Sequence, residues 1–252
     1  MPPAPDLPRQ LPRWRPDLGY GWVVGEFAVR ALLRDAPGRA LEVRLHRDAD
    51  PALRRDLEGA CAAAGVPLEA DDAAVEAKRS KANATVLGLL RTHDDALEAS
   101  APQVALVGPR EPGNVGTALR TAVALGVRDV AVIGGVHPRS PHALRASLGT
   151  AFAARVARPA SLPAWAETAR REGGAPPLLL HGRGARTLRD VAAAGAPRPL
   201  RLAVGPEWPG FADADLRHGT PVRIDVAAEA ESLNVAVALG IALHHLGPYA
   251  TR

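Results

Sequence analysis

Cysteine, lysine and aromatic residues are all scarce in this sequence. Cys61 is its single cysteine, which excludes an internal disulfide and a cysteine-based metal site. Lysine occurs only at Lys78 and Lys81, so nearly all of the positive charge comes from arginine, which suits bidentate contact with phosphate. The formal net charge of +4 is compatible with a nucleic-acid partner but does not require one.

Long apolar runs are absent as well. No run reaches membrane-spanning length, and the first residues contain no hydrophobic core of a signal peptide. We therefore predict a soluble, cytoplasmic protein. Of the 252 residues, 47% are hydrophobic, which is enough for one large domain or for two domains of unequal size.

The order of segments along the chain favours two domains after a short arm. The first sixteen residues include six prolines, so we predict that residues 1–19 form a flexible, basic, proline-rich arm. Residues 20–98 are predicted to be a small α/β domain, and residues 99–252 a larger one. The stretch Thr92–Pro102, rich in acidic residues and alanine, is the predicted linker between them.

Hydrophobic periodicity and turn residues predict the elements of both domains. In the first domain we expect helices at Val23–Leu33, Leu53–Ala64 and Asp71–Lys78, and strands at Ala40–Leu45, Val66–Leu68 and Ala84–Leu90. In the second domain we expect strands at Gln103–Val107, Asp129–Ile133, Ala153–Ala157, Leu178–His181, Leu200–Val204 and Val222–Val226, and helices at Asn114–Leu125, Pro141–Leu148, Pro163–Glu172 and Glu231–Leu246. This alternation predicts a mostly parallel sheet covered on both faces, with ligands beyond the carboxyl ends of its strands.

Three segments follow strands of the second domain and carry candidate site residues. Residues 108–127 place Asn114, Gly116 and Arg120 at the start of a helix that is otherwise apolar, although Arg120 could equally lie on a solvated face. Residues 202–211 place Glu207 in a glycine-rich loop, where an exposed turn is the alternative.

The third segment, residues 224–246, enters a long apolar helix. Ser232 can cap this helix, while Asn234 is predicted inside its first turns, where a buried amide needs hydrogen-bond partners. His244 and His245 are adjacent at the other end, so they point apart and cannot chelate one metal on one face.

Together the three segments resemble the motifs of the SpoU/TrmH family of the SPOUT superfamily. The first motif, Asn-x-Gly-x-x-x-Arg, corresponds to Asn114, Gly116 and Arg120. The second and third, Gly-x-Glu-x-x-Gly and Ser-Leu-Asn-Val, correspond to Gly205, Glu207 and Gly210 and to Ser232, Leu233, Asn234 and Val235. The segment 145–149 resembles a further family segment. The likeness covers about residues 103–247 in the family's order, and Val24–Val29 more weakly resembles the ribosomal-protein-L30e-like domain of many members.

The resemblance implies an enzyme and the residues that serve it. It implies an α/β fold with a deep trefoil knot in the C-terminal SPOUT domain, an L30e-like RNA-binding domain at 20–98, and a homodimer. S-adenosyl-L-methionine (AdoMet) is the implied cofactor, held by Gly205, Ile224, Leu233 and, less directly, Gly182. The implied catalytic site consists of Arg120, Asn114, Glu207, Ser232 and Asn234, with no metal.

The expected reaction is methyl transfer to a ribose 2′-hydroxyl of rRNA or tRNA. Two alternatives remain open, namely a non-catalytic RNA-binding protein that has kept the fold and a SPOUT methyltransferase that acts on a base. A dehydrogenase is disfavoured, because Gly182 and Gly184 form an isolated Gly-x-Gly pair without the remaining glycine or the downstream acid of a dinucleotide site.

Overall fold

A computed structural model of the chain describes residues 7–78, 84–171, 174–207, 209–227, 229–230 and 232–247, and it divides the chain into two units. One unit comprises Met1–His93 and Arg139–Ala153, and the other comprises Asp94–Pro138 and Ala154–Arg252. The predicted boundary after residue 98 is therefore slightly late. The segment Arg139–Ala153, which we predicted in the larger domain, belongs to the first unit instead.

The first unit contains a four-stranded mixed sheet. Its strands are β1 (Tyr20–Val24), β2 (Ala40–Leu45), β3 (Leu68–Ala70) and β4 (Val86–Arg91), in the spatial order β1-β4-β2-β3. Strand β4 is antiparallel to both β1 and β2, whereas β3 is parallel to β2. The helices of the unit are α1 (Glu26–Asp35), α2 (Pro51–Ala64), α3 (Asp72–Lys78) and, from the later segment, α5 (Pro141–Ala146), which contacts β1.

The predicted elements of this unit are all present, but most of their bounds differ; the strand predicted at Val66–Leu68, for example, lies at Leu68–Ala70. Strand Ala40–Leu45 has the predicted bounds. Helix α2 ends at Ala64 as predicted, with the left-handed backbone of Gly65 as its C-cap, but it begins at Pro51, two residues before the predicted start. The predicted helix Val23–Leu33 starts too early, because Val23 lies in the buried strand β1 and α1 begins only at Glu26. A short buried strand is apolar on both sides, so its pattern can be taken for one face of a helix.

The proline-rich segment contradicts the prediction of a loose arm over its described part, residues 7–19. Leu11 is buried, and Trp14 and Leu18 pack against a core cluster that includes Tyr20 and Trp22. Proline prevents regular hydrogen bonding, but it leaves side chains free to pack and carbonyl groups free to accept. Residues 1–6 lie outside the described residues.

Two cations of the first unit bind the carbonyl groups of this segment. The buried guanidinium of Arg44 donates to the carbonyl oxygens of Pro8 and Arg9 at 3.1 and 2.8 Å. The ammonium of Lys78 donates to the carbonyl oxygen of Pro12 at 2.9 Å and lies 4.6 Å from the ring centre of Trp22. Burial lowers the pKa of Lys78. The segment is thus part of the folded unit.

Replacing Leu11 with alanine is expected to lower the free energy of unfolding by about 2 kcal/mol, because it removes a buried side chain and leaves a cavity. Urea unfolding followed by circular dichroism measures the change. The exposed neighbour Gln10, replaced by alanine, is the control and should change the free energy by less than about 0.5 kcal/mol. Equal stability of the two variants would contradict the packing of this segment.

The second unit contains a seven-stranded sheet in which every pairing is parallel. Its strands are β5 (Gln103–Val107), β6 (Asp129–Ile133), β7 (Arg155–Ala157), β8 (Leu178–Leu180), β9 (Arg186–Thr187), β10 (Arg201–Val204) and β11 (Thr220–Arg223). Their spatial order is β7-β6-β5-β10-β8-β11-β9. The predicted α/β class with a parallel sheet is confirmed, since parallel strands need crossover connections that place helices on the sheet.

The helices of the second unit are α4 (Pro112–Ala124), α6 (Leu162–Arg171), α7 (Leu188–Ala193), α8 (Asp213–Leu216) and α9 (Val235–Leu246). Helices α4 and α9 pack together, and Gly240 allows this, because a Cβ there would lie 3.2 Å from the methyl carbon of Thr121. Residue Trp165 of α6 is buried in a cluster with Ala105 and Phe211. Within the described ranges, no helix has both the length and the hydrophobicity to span a membrane.

Candidate functional site

A cavity of about 300 Å³ lies where three neighbouring strands of the parallel sheet end. Its walls come from the segments that follow β8, β10 and β11 and from the entry to α9. All four predicted cofactor residues line it, namely Gly182, Gly205, Ile224 and Leu233. Because the carboxyl ends of parallel strands meet at one edge, the sheet itself brings these distant residues together.

Most of the cavity wall is apolar or glycine. Leu180, Val204 and Val235 contribute aliphatic surface, and a Cβ at Gly182 or Gly210 would meet no atom within 4 Å. Any side chain at these two glycines would therefore extend into open space beside the wall. A ligand that enters the cavity can approach the backbone closely at both positions.

Three polar side chains beside the cavity form one hydrogen-bonded chain. The Nδ2 of Asn114 donates to Oε1 of Glu207 at 2.9 Å, and the Nδ2 of Asn234 donates to Oδ1 of Asn114 at 2.8 Å. These bonds connect the entry to α4, the loop after β10 and the entry to α9. The structure therefore joins one residue from each of the three predicted motifs.

Asn234 also begins the last helix, which corrects our prediction for this segment. Its Oδ1 accepts hydrogen bonds from the backbone N–H groups of Ala236 and Val237 at 2.9 and 3.3 Å, so Asn234 is the N-cap of α9 and does not lie within its first turns. Ser232, which we considered as the cap, precedes the helix and lines the cavity. Glu231, the predicted first residue of this helix, is outside the described residues, as is Trp208 of the second motif.

The carboxylate of Glu207 is stabilised in its charged form. Partial burial raises its pKa, but hydrogen bonds from the Asn114 amide and from backbone N–H groups, including that of Arg110, together outweigh burial and hold the pKa below its usual value. The Arg110 N–H donates to Oε2 at 3.3 Å. Glu207 is therefore an ionised acceptor at neutral pH, and it orients Asn114.

Replacing Glu207 with glutamine is expected to lower the free energy of unfolding by about 1 kcal/mol at pH 7, since a charged acceptor of several N–H groups is lost. The folded-state pKa lies below the ordinary value of 4.5, so this stabilisation is present above pH 4.5 and is lost as the pH falls through the folded-state pKa. Urea unfolding at several pH values measures both effects.

The exposed Glu69, replaced by glutamine, is the control for loss of one negative charge and should have little effect at any pH. A difference between wild type and Glu207→Gln that persists undiminished at pH 3 would contradict the role of the ionised carboxylate.

Arg120 lies on the same helix as Asn114 but is not part of the hydrogen-bonded chain. Its side chain is exposed, and among the residues that the structure describes it has neither a hydrogen bond nor an ion pair. The structure thus places Arg120 on a solvated face of α4, which is one of the two positions that the sequence allowed. A charged guanidinium without a protein partner at this place is available to an external anion.

The sequence did not predict the contribution of the loop between β5 and α4. Its backbone is tied to the end of β6, because the N–H of Val136 donates to the carbonyl oxygen of Pro109 and the N–H of Gly108 to that of Ile133, both at 2.8 Å. The loop in turn presents the N–H of Arg110 to Glu207. Backbone donors carry no side-chain signal, although the Gly-Pro pair before Arg110 does mark a turn.

A comparison with known protein families identifies the family of this chain. The SpoU rRNA Methylase family matches residues 101–244, more than half of the chain and all three motifs. The chain belongs to this family.

Among the residues described, no group of three histidine, cysteine or acidic side chains could hold a metal ion.

Curated relatives match between half and three fifths of the chain. The 23S rRNA (uridine(2479)-2′-O)-methyltransferase of Streptomyces viridochromogenes is 36% identical over 134 residues, 51% of this chain and 46% of the relative. The 23S rRNA (guanosine(2553)-2′-O)-methyltransferase of Bacillus subtilis is 33% identical over 153 residues, 59% of each chain. The chain spans about half the length of the curated relatives it matches.

The likeness to solved methyltransferase structures extends further along the chain. An AdoMet-bound rRNA methyltransferase from Sinorhizobium meliloti superposes with a TM-score of 0.75 over 91% of this chain and 87% of that one, at 24% identity. At this identity the likeness establishes the fold. The α/β architecture with its parallel sheet is therefore that of SpoU methyltransferases.

Proposed function

We propose that this protein transfers a methyl group from AdoMet to a ribose 2′-hydroxyl of rRNA or tRNA. The observation that carries the proposal is the cavity at the strand ends, bordered by the hydrogen-bonded chain of Glu207, Asn114 and Asn234. Family membership and the names of the two relatives, both ribose 2′-O-methyltransferases, support the same reaction.

The residues around the cavity fit the cofactor. A volume of about 300 Å³ is at the lower end of small-molecule sites, and the mixture of aliphatic wall and open glycine backbone suits a nucleoside with a short aliphatic arm. Gly182, Gly205, Ile224 and Leu233 would hold it, mainly through their backbone. When bound, AdoMet supplies an electrophilic methyl group on a sulfonium sulfur.

In this proposal Arg120 is the catalytic residue. A guanidinium stays charged at any physiological pH, so it is unsuited to remove a proton as a free base. It can bind the phosphate beside the target ribose and stabilise the negative charge that develops on the 2′-oxygen. Its exposure and its lack of a partner among the described residues leave it available for both tasks.

The other four residues act by positioning. Glu207 orients Asn114, and Asn114 orients Asn234. These hydrogen bonds hold the first residues of α4 and α9 in fixed positions beside the cavity. Ser232 presents its hydroxyl-bearing side chain at the cavity wall, where it can orient the ribose. Precise alignment of the hydroxyl and the methyl carbon is the larger part of catalysis when the electrophile is already reactive.

The proposal also includes the assembly and the finer fold. We infer a deep trefoil knot in the larger unit, an L30e-like substrate-binding domain over 20–98, no catalytic metal, and a homodimer that works in the cytoplasm. One exposed apolar side chain outside the cavity lining supports a dimer, since Val237 on the first turn of α9 is 51% exposed.

The test of the function is methyl transfer in vitro. The purified protein is incubated with methyl-labelled AdoMet and total cellular RNA, and the RNA is digested to nucleosides and separated. Label in 2′-O-methylnucleosides is the expected result, and mapping ribose methylation in a deletion strain then identifies the nucleotide. Label in methylated bases would favour the base methyltransferase, and RNA binding without label would favour the non-catalytic protein.

A further inference from the structure

The turn at residues 181–186 contributes to the cofactor cavity and to a second groove. His181 and Gly182 line the cavity, and His181, Arg183, Ala185 and Arg186 line a groove of about 520 Å³. The remaining walls of this second groove are formed by Asp213, Leu216, Thr220 and Pro221. The segment around Gly182 and Arg183, which does not form a dinucleotide motif, therefore lies at the border of both depressions.

The backbone of this turn is held firmly in place. A Cβ at Gly184 would lie 2.7 Å from the carbonyl carbon of Val222, so only glycine allows the turn to approach β11 this closely. The N–H of His181 donates to the carbonyl oxygen of Val222 at 2.9 Å. The guanidinium of Arg223 donates to the carbonyl oxygens of Gly184 and Ala185 at 2.8 and 3.1 Å. The backbone positions from which the side chains of the turn extend are therefore fixed.

The two arginines of the turn are only weakly engaged by the protein. Arg183 is 79% exposed and lies 3.5 Å from Asp213, whose side chain is 90% exposed. Exposed pairs of this kind contribute little and exchange readily with solvent. Arg186 is exposed and donates one hydrogen bond, to the carbonyl oxygen of Asp190 at 3.2 Å. Alongside hydrogen bonds from Thr187, its charge helps to lower the pKa of the Asp190 carboxylate. The residues that line the groove include two arginines and one aspartate, so the lining has a net positive charge.

We propose that the second groove binds a phosphodiester of the RNA substrate through Arg183 and Arg186. The inference rests on the proposed function, because it places RNA one turn away from the cofactor cavity. A guanidinium offers paired N–H donors that match phosphate oxygens, and two of them on a rigid turn can grip successive phosphates of one strand. Contacts of this kind position a strand without selecting its sequence.

The test is the salt dependence of RNA binding by the variant Arg183→Gln/Arg186→Gln. Binding of a labelled single-stranded RNA of mixed sequence is measured by fluorescence anisotropy between about 50 and 200 mM KCl. Each lost phosphate contact reduces the slope of log K against log salt concentration by about 0.7, so loss of both should reduce it by about 1.4. We expect RNA affinity to fall roughly 10-fold at the lower salt concentration.

The matched control is Arg170→Gln/Arg171→Gln on α6, which removes the same charge from side chains that are 79% and 76% exposed. It should leave the slope nearly unchanged. AdoMet binding, measured by calorimetry, should be the same in wild type and both variants. Wild-type slopes in the Arg183→Gln/Arg186→Gln variant, or an equal reduction in the control, would overturn the inference. Failure of the wild type to methylate any RNA would instead overturn the proposed function.

Discussion

Replacing Arg120 with alanine is expected to lower the rate of methyl transfer roughly 1000-fold, with AdoMet affinity unchanged within about twofold. In the proposed mechanism the guanidinium stabilises the negative charge that develops on the 2′-oxygen. Its loss therefore raises the free energy of the transition state more than that of the bound substrates. Arg120 is not among the residues that line the cavity, and its side chain makes no hydrogen bond to a described residue, so cofactor binding and folding should be unaffected. Single-turnover methylation and calorimetry measure the two effects.

Arg128 offers a matched control, because it is an exposed arginine shortly after the same helix. Arg128→Ala should keep the wild-type rate. Arg120→Lys retains the charge but not the planar pair of donors, so an intermediate rate is expected. Turnover by Arg120→Ala equal to that of Arg128→Ala would exclude Arg120 as the catalytic residue.

Replacing Gly182 with leucine is expected to weaken AdoMet binding by at least about 100-fold, because the new side chain occupies space that the ligand needs. Gly182 lines the cavity, and a Cβ there would meet no protein atom within 4 Å. The substitution therefore fills the site without disturbing the core, and the free energy of unfolding should change little. Calorimetric titration with AdoMet and urea unfolding measure the two quantities.

Gly59 of α2 is the control for this substitution. A Cβ at Gly59 would also meet no atom within 4 Å, and Gly59 is far in sequence from the residues that line the cavity. Gly59→Leu should bind AdoMet as wild type does. If Gly182→Leu also bound AdoMet with wild-type affinity, the cavity at the strand ends would not be the cofactor site.

Much of the fold could be predicted from the sequence, because many strands and helices have a local hydrophobic pattern typical of the element that they form. Strands Gln103–Val107 and Asp129–Ile133 have the predicted bounds, because short apolar runs between glycine-rich turns are typical of buried parallel strands. The predicted helix at Asn114–Leu125 is confirmed with a start two residues earlier, at Pro112. Proline suits the first turn of a helix, a signal that the prediction did not use.

The errors occurred where packing overrides local pattern. Residues 7–19 contain many prolines and yet are folded, because Leu11 and the carbonyl groups of Pro8 and Arg9 find partners elsewhere in the first unit. Likewise, nothing local marks Arg139–Ala153 as part of that unit. Strand β9 and helices α7 and α8 were not predicted, since two to six residues are too few for a periodic signal.

The sequence by itself determined the family, the class of fold and the candidate residues, because motif spacing and strand–helix alternation are properties of the linear order. Only the tertiary structure decided how those residues meet. Asn114 is 93 residues from Glu207 and 120 residues from Asn234, and the parallel sheet brings all three into hydrogen-bond contact at its carboxyl edge. It also decided that Asn234 caps α9 and that Arg120 remains exposed, since both outcomes depend on the neighbours that packing supplies.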